Sequence, residues 1–231
     1  MVERVKRARH AGTVVVATTT DEVDDQVVEL CAAHGLQCYR GHGTDLLDRH
    51  YRCAVELGAS VVLKVPSDCP LIDPKVLDRV VTKYNEGAAD YVSNLHPATY
   101  PDGQDIEVIS ISALETAWRE SKADFEREHT TPFIWERPDR FRIENVEWET
   151  GLDYSMTHRL TIDYREDYDA INAIYQELYS TDPAFDVADI VALLKRRPEL
   201  KAMNERYAGV NWYRHHLTAL KTIGSNQTKL I

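Results

Sequence analysis

The chain has 231 residues, 43% of them hydrophobic, and a formal net charge of −11. That length suits one α/β domain, or one domain with an appendage, and the apolar share is enough for a core, which excludes wholesale disorder. The acidic balance repels polyphosphate backbones and disfavours nucleic acid as the main partner, yet leaves room for a small phosphorylated ligand held by a metal and a few local cations.

Residues 2–10 read as the last turns of an amphipathic helix, with Gly12 as its stop. The β-branched run Thr13–Thr18 predicts a buried strand, and 24–34 a helix whose apolar face is Val27, Val28, Leu30 and Cys31. Gln37–Arg40 is a second short strand. Thr44 is expected to cap a helix through Leu57, with Leu47, Tyr51 and Ala54 on one stripe and Gly58 just past its end. A strand over 60–65 follows, and Pro74 opens a helix that ends near Gly87. Strands are predicted at 90–94 and 105–111, a helix at 112–121, and a helix over 126–136 despite Pro132. Phe141–Trp148 and Arg159–Asp163 read as strands; 166–179, 187–196 and the stretch after Pro198 read as helices. The polar end at 224–229 is expected to fray.

Strands alternating with helices in this way predict a three-layer αβα fold with a mostly parallel sheet. The segment 91–148 breaks the alternation and is expected to form a small β-rich lobe over the carboxyl edge of the sheet, where a second substrate would sit. The domain expectation is a unit over 1–180 and a helical extension over 181–231. The four cysteines form no C-x-x-C pair, so they read as reduced thiols. No apolar leader or membrane-length run is present, and a soluble, cytoplasmic protein is expected.

Five groups can carry chemistry. Asp68 follows the run Val61-Val62-Leu63 at the carboxyl end of a predicted strand, where open α/β sheets bind ligands, and there it can hold a divalent cation or merely shape the Pro70 and Pro74 turn. Asp163 closes another predicted strand; it can bracket the same Mg²⁺ or cap the helix behind it. Gly41-His42-Gly43-Thr44-Asp45 runs into a helix amino end whose free amides suit an anion or a base edge, and Arg49 can reach a phosphate or pair with Asp45. Asp105 and Glu107 alternate onto one strand face after the Pro101-Asp102-Gly103 turn, able to grip hydroxyls or a metal, or simply to face water. His129 in Arg127-Glu128-His129-Thr130 can bind phosphate, act as a base or lie on a helix surface. Lys64 can offset phosphate charge or snorkel. His96, His158, His215 and His216 give no readable signal.

Six segments occur in register: 14–21 (VVVATTTD), 43–49 (GTDLLDR), 67–74 (SDCPLIDP), 100–108 (YPDGQDIEV), 127–132 (REHTTP) and 160–167 (LTIDYRED). Together they resemble the cytidylyltransferase family that includes CMP-KDO synthetase and acylneuraminate cytidylyltransferase, with the spore coat polysaccharide biosynthesis protein F type as the nearest branch. The resemblance spans about residues 2–180 and implies a Rossmann-like nucleotidyltransferase fold. It implies an enzyme that moves CMP from CTP to a sugar or sugar acid for surface polysaccharide biosynthesis, with Mg²⁺ as cofactor, release of pyrophosphate and a homodimeric assembly. Asp68 and Asp163 take the place of the family's metal-binding acids. Thr18, Thr19, Asp21, Thr44, Asp45, Arg49 and Lys64 fall on the nucleotide side, and Asp102, Asp105, Glu107 and His129 on the acceptor side. The family opens with a strand and a loop of the type Gln-Ala-Arg-x-Gly-Ser-x-Arg-Leu-Pro-Gly-Lys; this sequence opens inside the helix that follows, so a central strand and the main phosphate-binding cations are expected to be missing. The alternatives are a glycosyltransferase of related architecture, and a non-catalytic binding module.

Overall fold

The computed structural model describes residues 1–231. In chain order it runs α1 (Val2–Val5), β1 (Val15–Thr19), α2 (Asp25–Ala33), β2 (Gln37–Gly41), α3 (Leu46–Glu56), β3 (Val61–Lys64), α4 (Pro74–Glu86), β4 (Tyr91–Ser93), β5 (Glu107–Ser110), α5 (Ile111–Glu120), α6 (Asp124–Glu128), α7 (Pro132–Trp135), β6 (Ile143–Asn145), α8 (Arg165–Leu178), α9 (Val187–Arg196) and α10 (Pro198–Ala202). β1 and β2 pair in parallel, with Val15 opposite Gln37. The other four strands form one sheet in the order β3-β5-β4-β6, in which β5 runs antiparallel to both neighbours and β4 lies parallel to β6.

The two sheets do not meet. β1 bonds only to β2 and β3 only to β5, and the facing edges, Val14–Ala17 and Val61–Val65, line one cavity of about 1420 Å³. Backbone amides and carbonyls on those two edges therefore have no ladder partner.

Local chemistry explains most element ends. Asp45, not Thr44, caps α3, its carboxylate accepting the Asp48 amide at 2.9 Å, and Gly58 stops the chain at φ +62°, where a Cβ would be strained. Asp73 caps α4 through the Lys75 amide at 2.8 Å and accepts the Val187 amide at 2.9 Å, which ties α9 to α4. The predicted helix over 126–136 is two short helices. Thr130 sits at φ 71° between them, and Pro132 has no N–H to continue the first. Leu30 of the expected α2 face is 59% exposed, and Cys31 alone is buried, because α2 covers only the narrow β1–β2 ribbon.

Three apolar clusters fill the interior. Ile72, Leu77, Val92 and Val108 pack under α4; Leu47, Tyr91, Ile109, Leu114 and Ile134 pack under α3 and α5; Leu71, Leu160, Ile171, Ile190 and Leu194 join α8 to α9. Truncating Leu114, which is fully buried, to alanine would cost about 2–5 kcal/mol. Segment 91–148, expected as a lobe, supplies β4, β5 and β6 to the same sheet as β3; its hydrophobic run Val108–Ile109 is buried on both faces and so behaves as a central strand. Only its loops rise over the strand ends. Residues beyond 181 likewise pack into the common core, with Leu220 and Ile223 against the Leu47 cluster. All four cysteines are free thiols. No helix is long and apolar enough to cross a membrane.

Candidate active site

The cavity lies between β1 and β3 and continues past the carboxyl end of β3 along residues 65–68. β3 runs out into the turn that carries Asp68, and the segment 159–163 lies against that turn. The Ile162 amide and the Thr161 hydroxyl both donate to the Asp68 carbonyl, at 2.9 and 3.2 Å. Asp68 and Asp163 thus stand at one rim, and both line the cavity. The second acid does not arrive on a strand, however. Arg159–Asp163 is irregular apart from a single bridge between Asp102 and Arg159. The cause is Arg159, whose side chain is 1% exposed and is drawn inward by four partners. It donates to Asp167 at 2.8 Å, to Asp163 at 2.5 Å, to Asp102 at 3.3 Å and to the Val210 carbonyl at 2.9 Å. A ladder would have directed this side chain out of the sheet.

Nowhere in the chain do three or more His, Cys, Asp or Glu side chains converge as a metal cage. Two carboxylates remain as candidate ligands. The Asp68 carboxylate has only the weak Cys69 thiol as side-chain donor, at 3.4 Å, and Asp163 spends one oxygen on Arg159. This donor set fits Mg²⁺, which commonly takes one or two carboxylates and completes its shell with water and substrate phosphates.

Deeper in the cavity lies a row of acids. Lys64 donates to Glu107 at 2.5 Å, and Tyr91 donates to the other Glu107 oxygen at 2.6 Å. These partners hold Glu107 below the usual carboxylate range despite burial. Asp102 has Arg159, yet burial together with Asp105 raises it well above the ordinary value. Asp105 has no cation of its own; it accepts only the Gly103 amide at 3.3 Å, and burial, then the Asp68 charge, push it to about 6. Burial also raises Asp68. Gly103 is required where it stands. Its φ is +99°, and a Cβ there would lie 2.6 Å from the Leu160 carbonyl oxygen, so the Asp102 turn could not dock on Leu160.

On the β1 side the expectations divide. Thr18 and Thr19 do not face the cavity: both hydroxyls donate to Asp24 at 2.6 Å, which holds Asp24 down at about 2. Asp21, Thr44 and Asp45 also lie off it. The amides at the start of α3 are already used, since His42 Nδ1 accepts those of Thr44 and Asp45 at 3.3 and 2.9 Å. Asp45 pairs with Arg127 at 2.6 Å rather than with Arg49. Arg49 does line the cavity. It donates to the Gly43 carbonyl at 3.0 Å, and its Nε is buried without any partner. A buried cationic donor left unpaired is costly unless a ligand meets it.

On the opposite wall His129 stacks on Trp212, centroids 3.8 Å apart, and His96 lies 4.3 Å from Trp135. Burial lowers both imidazoles to about 4, so His129 offers no positive charge to a phosphate at neutral pH. His96 Nδ1 is a second buried polar atom without a partner. Tyr213 is half-buried, and burial together with the charges of Asp105 and Glu107 raises its hydroxyl above the ordinary value. Sequence reasoning missed Arg159, His96, Trp212 and Tyr213. The i, i+4, i+8 spacing of Arg159, Asp163 and Asp167 could have pointed to the first; nothing local marks the others.

An α/β fold with two acids meeting at one rim of a cleft, and a buried arginine nitrogen without a partner on that cleft, carries the groups that nucleotidyl transfer uses. The profile of the family described as Cytidylyltransferase matches residues 1–183, and the chain belongs to that family. It is 32% identical over 206 residues to an uncharacterised protein of Methanocaldococcus jannaschii, covering 88% of this chain and 82% of that one. It is 29% identical over 213 residues to the spore coat polysaccharide biosynthesis protein SpsF of Bacillus subtilis, covering 90% and 86%. Among solved structures, a cytidylyltransferase from Leptospira borgpetersenii superposes with TM-score 0.80 at 30% identity, over 87% of this chain and 83% of that one. A CMP:2-keto-3-deoxy-manno-octonic acid synthetase complexed with CTP superposes with TM-score 0.55 at 15% identity, over 76% and 86%, a likeness of fold alone.

Proposed function

We propose that the chain transfers CMP from CTP to an oxygen of a sugar or sugar-acid acceptor, releasing pyrophosphate, in the biosynthesis of a surface polysaccharide. The observation that supports this most is the meeting of Asp68 and Asp163 at one rim, with the Nε of Arg49 left without a partner on the same cavity. The chemistry needs no side-chain nucleophile. It needs the acceptor oxygen in line with the α-phosphorus and charge neutralised as pyrophosphate leaves. Asp68 and Asp163 would hold Mg²⁺, which when bound supplies charge neutralisation to the triphosphate. Arg49 supplies a buried donor to the nucleotide. Asp105 is placed to take the proton of the acceptor hydroxyl, because it lacks a cation and is poised at about 6. Arg159 holds Asp163 and Asp102 in place and touches neither substrate. Lys64, already paired to Glu107, sets that carboxylate rather than the phosphates. A homodimer and a cytoplasmic setting belong to the same reading.

The test is pyrophosphate release. CTP, Mg²⁺ and a panel of sugars and sugar acids are expected to yield pyrophosphate and a CMP-sugar. Release of free nucleotide from a nucleotide sugar and an acceptor would point instead to a glycosyltransferase, and absence of any CTP binding by calorimetry to a non-catalytic module.

A further inference from the structure

The family match ends at residue 183, yet the chain returns to the rim after α10. Asn204 is 3% exposed, and its amide nitrogen makes two bonds there, to the Arg159 carbonyl at 3.1 Å and to the Asp167 carboxylate at 2.8 Å. Further on, Tyr207 stacks flat on Tyr164, centroids 3.7 Å apart. The Val210 carbonyl then accepts a bond from Arg159 Nη1 at 2.9 Å. The segment is itself held from behind. Lys229 donates its amide to the Gly209 carbonyl at 2.7 Å, and the Asn211 side chain donates to the Gln227 carbonyl at 2.9 Å. The contacts of Asn204, Tyr207 and Val210 all fall on residues 159–167, the stretch that carries Asp163.

Asp163 depends on that stretch for its direction. Its side chain is 53% exposed, and its carboxylate is tethered by Arg159 Nη2 at 2.5 Å. An exposed carboxylate on one tether keeps its direction only if the tether is fixed. Arg159 is fixed by Asp167, which accepts its Nε at 2.8 Å and its Nη2 at 3.0 Å. Asp167 also accepts the amides of Asp163 and Tyr164, both at 3.0 Å, so one wholly buried carboxylate sets the backbone of the loop as well as the tether. Asn204 is the donor that reaches Asp167 from outside the loop. Without it, Asp167 Oδ1 keeps Arg159 alone and the Arg159 carbonyl loses its donor. Mg²⁺ demands near-octahedral geometry at about 2.0–2.1 Å, so a small swing of one ligand is felt in affinity. Groups that orient a metal ligand from behind tune the site for this reason.

We propose that Asn204 is a positioning residue for Asp163: from outside the family match it fixes Asp167 and Arg159, and through them the direction in which the second rim carboxylate meets a divalent cation. This rests on the reading of Asp68 and Asp163 as the Mg²⁺ ligands and adds to it a contribution from the segment after α10. Asn204 does not line the cavity, so it acts on metal and substrate only through the residues it holds.

The probe is Mn²⁺, titrated into the full chain without nucleotide and read by loss of the free-ion EPR signal, with thermal midpoints measured alongside. Asn204→Ala is expected to weaken Mn²⁺ binding about tenfold, the usual order when a partner behind a metal ligand is removed. Asn204→Ser is smaller but can still donate one hydrogen bond. It should fall between the alanine variant and the wild type, and it covers the case of an alanine variant that fails to fold. The deciding comparison is a double-mutant cycle. In an Asp163→Ala background the Asn204 substitution should change Mn²⁺ affinity by less than about twofold, because the residue it acts through is gone. An equal loss in both backgrounds would make Asn204 a support of the fold alone and overturn the proposal. So would unchanged affinity in Asn204→Ala when Asp68→Asn weakens binding. If neither Asp68→Asn nor Asp163→Ala alters Mn²⁺ binding, the metal reading falls and the role of Asn204 falls with it. Asn204-dependent Mn²⁺ binding in a chain that releases no pyrophosphate would keep the positioning role and remove the cytidylyl-transfer reading instead.

Discussion

The carbonyl of Asp68 accepts the amide of Ile162 at 2.9 Å, and this one bond places Asp163 at the rim that Asp68 already occupies. The two acids are far apart in the chain and act as a pair only because the turn after β3 and the loop before α8 share that contact. Asp68→Asn is expected to lower kcat for Mg²⁺-dependent pyrophosphate release roughly a hundredfold or more, with little change in thermal midpoint, since its carboxylate makes no strong internal bond. Release at the wild-type rate would remove Asp68 from the mechanism.

Arg159 is the structural hub of the same rim. Replacing it with Met would leave the wholly buried Asp167, and Asp102, without their cation, and about 3–5 kcal/mol of stability should be lost. Urea denaturation followed by far-UV circular dichroism measures it. A loss under 1 kcal/mol would show that the network does not hold the fold.

Asp105 predicts two pH effects of opposite use. The groups facing it are Asp68, Asp102, Glu107, Lys64 and Tyr213. Its proton-accepting role requires the ionised form, so kcat/KM should fall as pH drops through about 6, and Asp105→Asn should lower the rate and flatten that limb. For stability the sign reverses. With its folded-state pKa raised to about 6 against an ordinary value near 4, the native state binds more protons between those values. Asp105 therefore weakens the fold at neutral pH, and Asp105→Asn should be the more stable protein at pH 7.5, with the gap closing by about pH 4. An unchanged gap across that range would place the destabilisation elsewhere.

The facing edges of β1 and β3 have no ladder partner, so their inward amides should exchange with deuterium far faster than those of β5, which is bonded on both sides. Equal protection across the two groups would mean that the edges close in solution.

Arg49 offers a direct probe of the nucleotide half. Arg49→Met removes its buried, partnerless Nε and the charge with it, and CTP–Mg²⁺ affinity should weaken about tenfold or more, one charged hydrogen bond being worth about 1.5–3 kcal/mol. Unchanged affinity would assign that donor no ligand.

The sequence by itself determined the alternation of strands and helices, the ends of α4 through Pro74 and Gly87, the span of α9, and the position of Asp68 past a β-branched run, because those features depend on local periodicity, capping and turn chemistry. It also carried the family, through short segments kept in order. Only the tertiary structure decided which polar groups are partnered. Thr18 and Thr19 turn to Asp24, Asp45 to Arg127, and Arg159 gathers acids from three segments, leaving Arg49 Nε and His96 Nδ1 alone. Trp212 and Tyr213 reach the site only because Asn204 and Val210 bind back to Arg159 and Asp167, contacts that no local pattern encodes. A charge or a donor has its function set by what is left unsatisfied after packing, and that remainder exists only once the chain has folded.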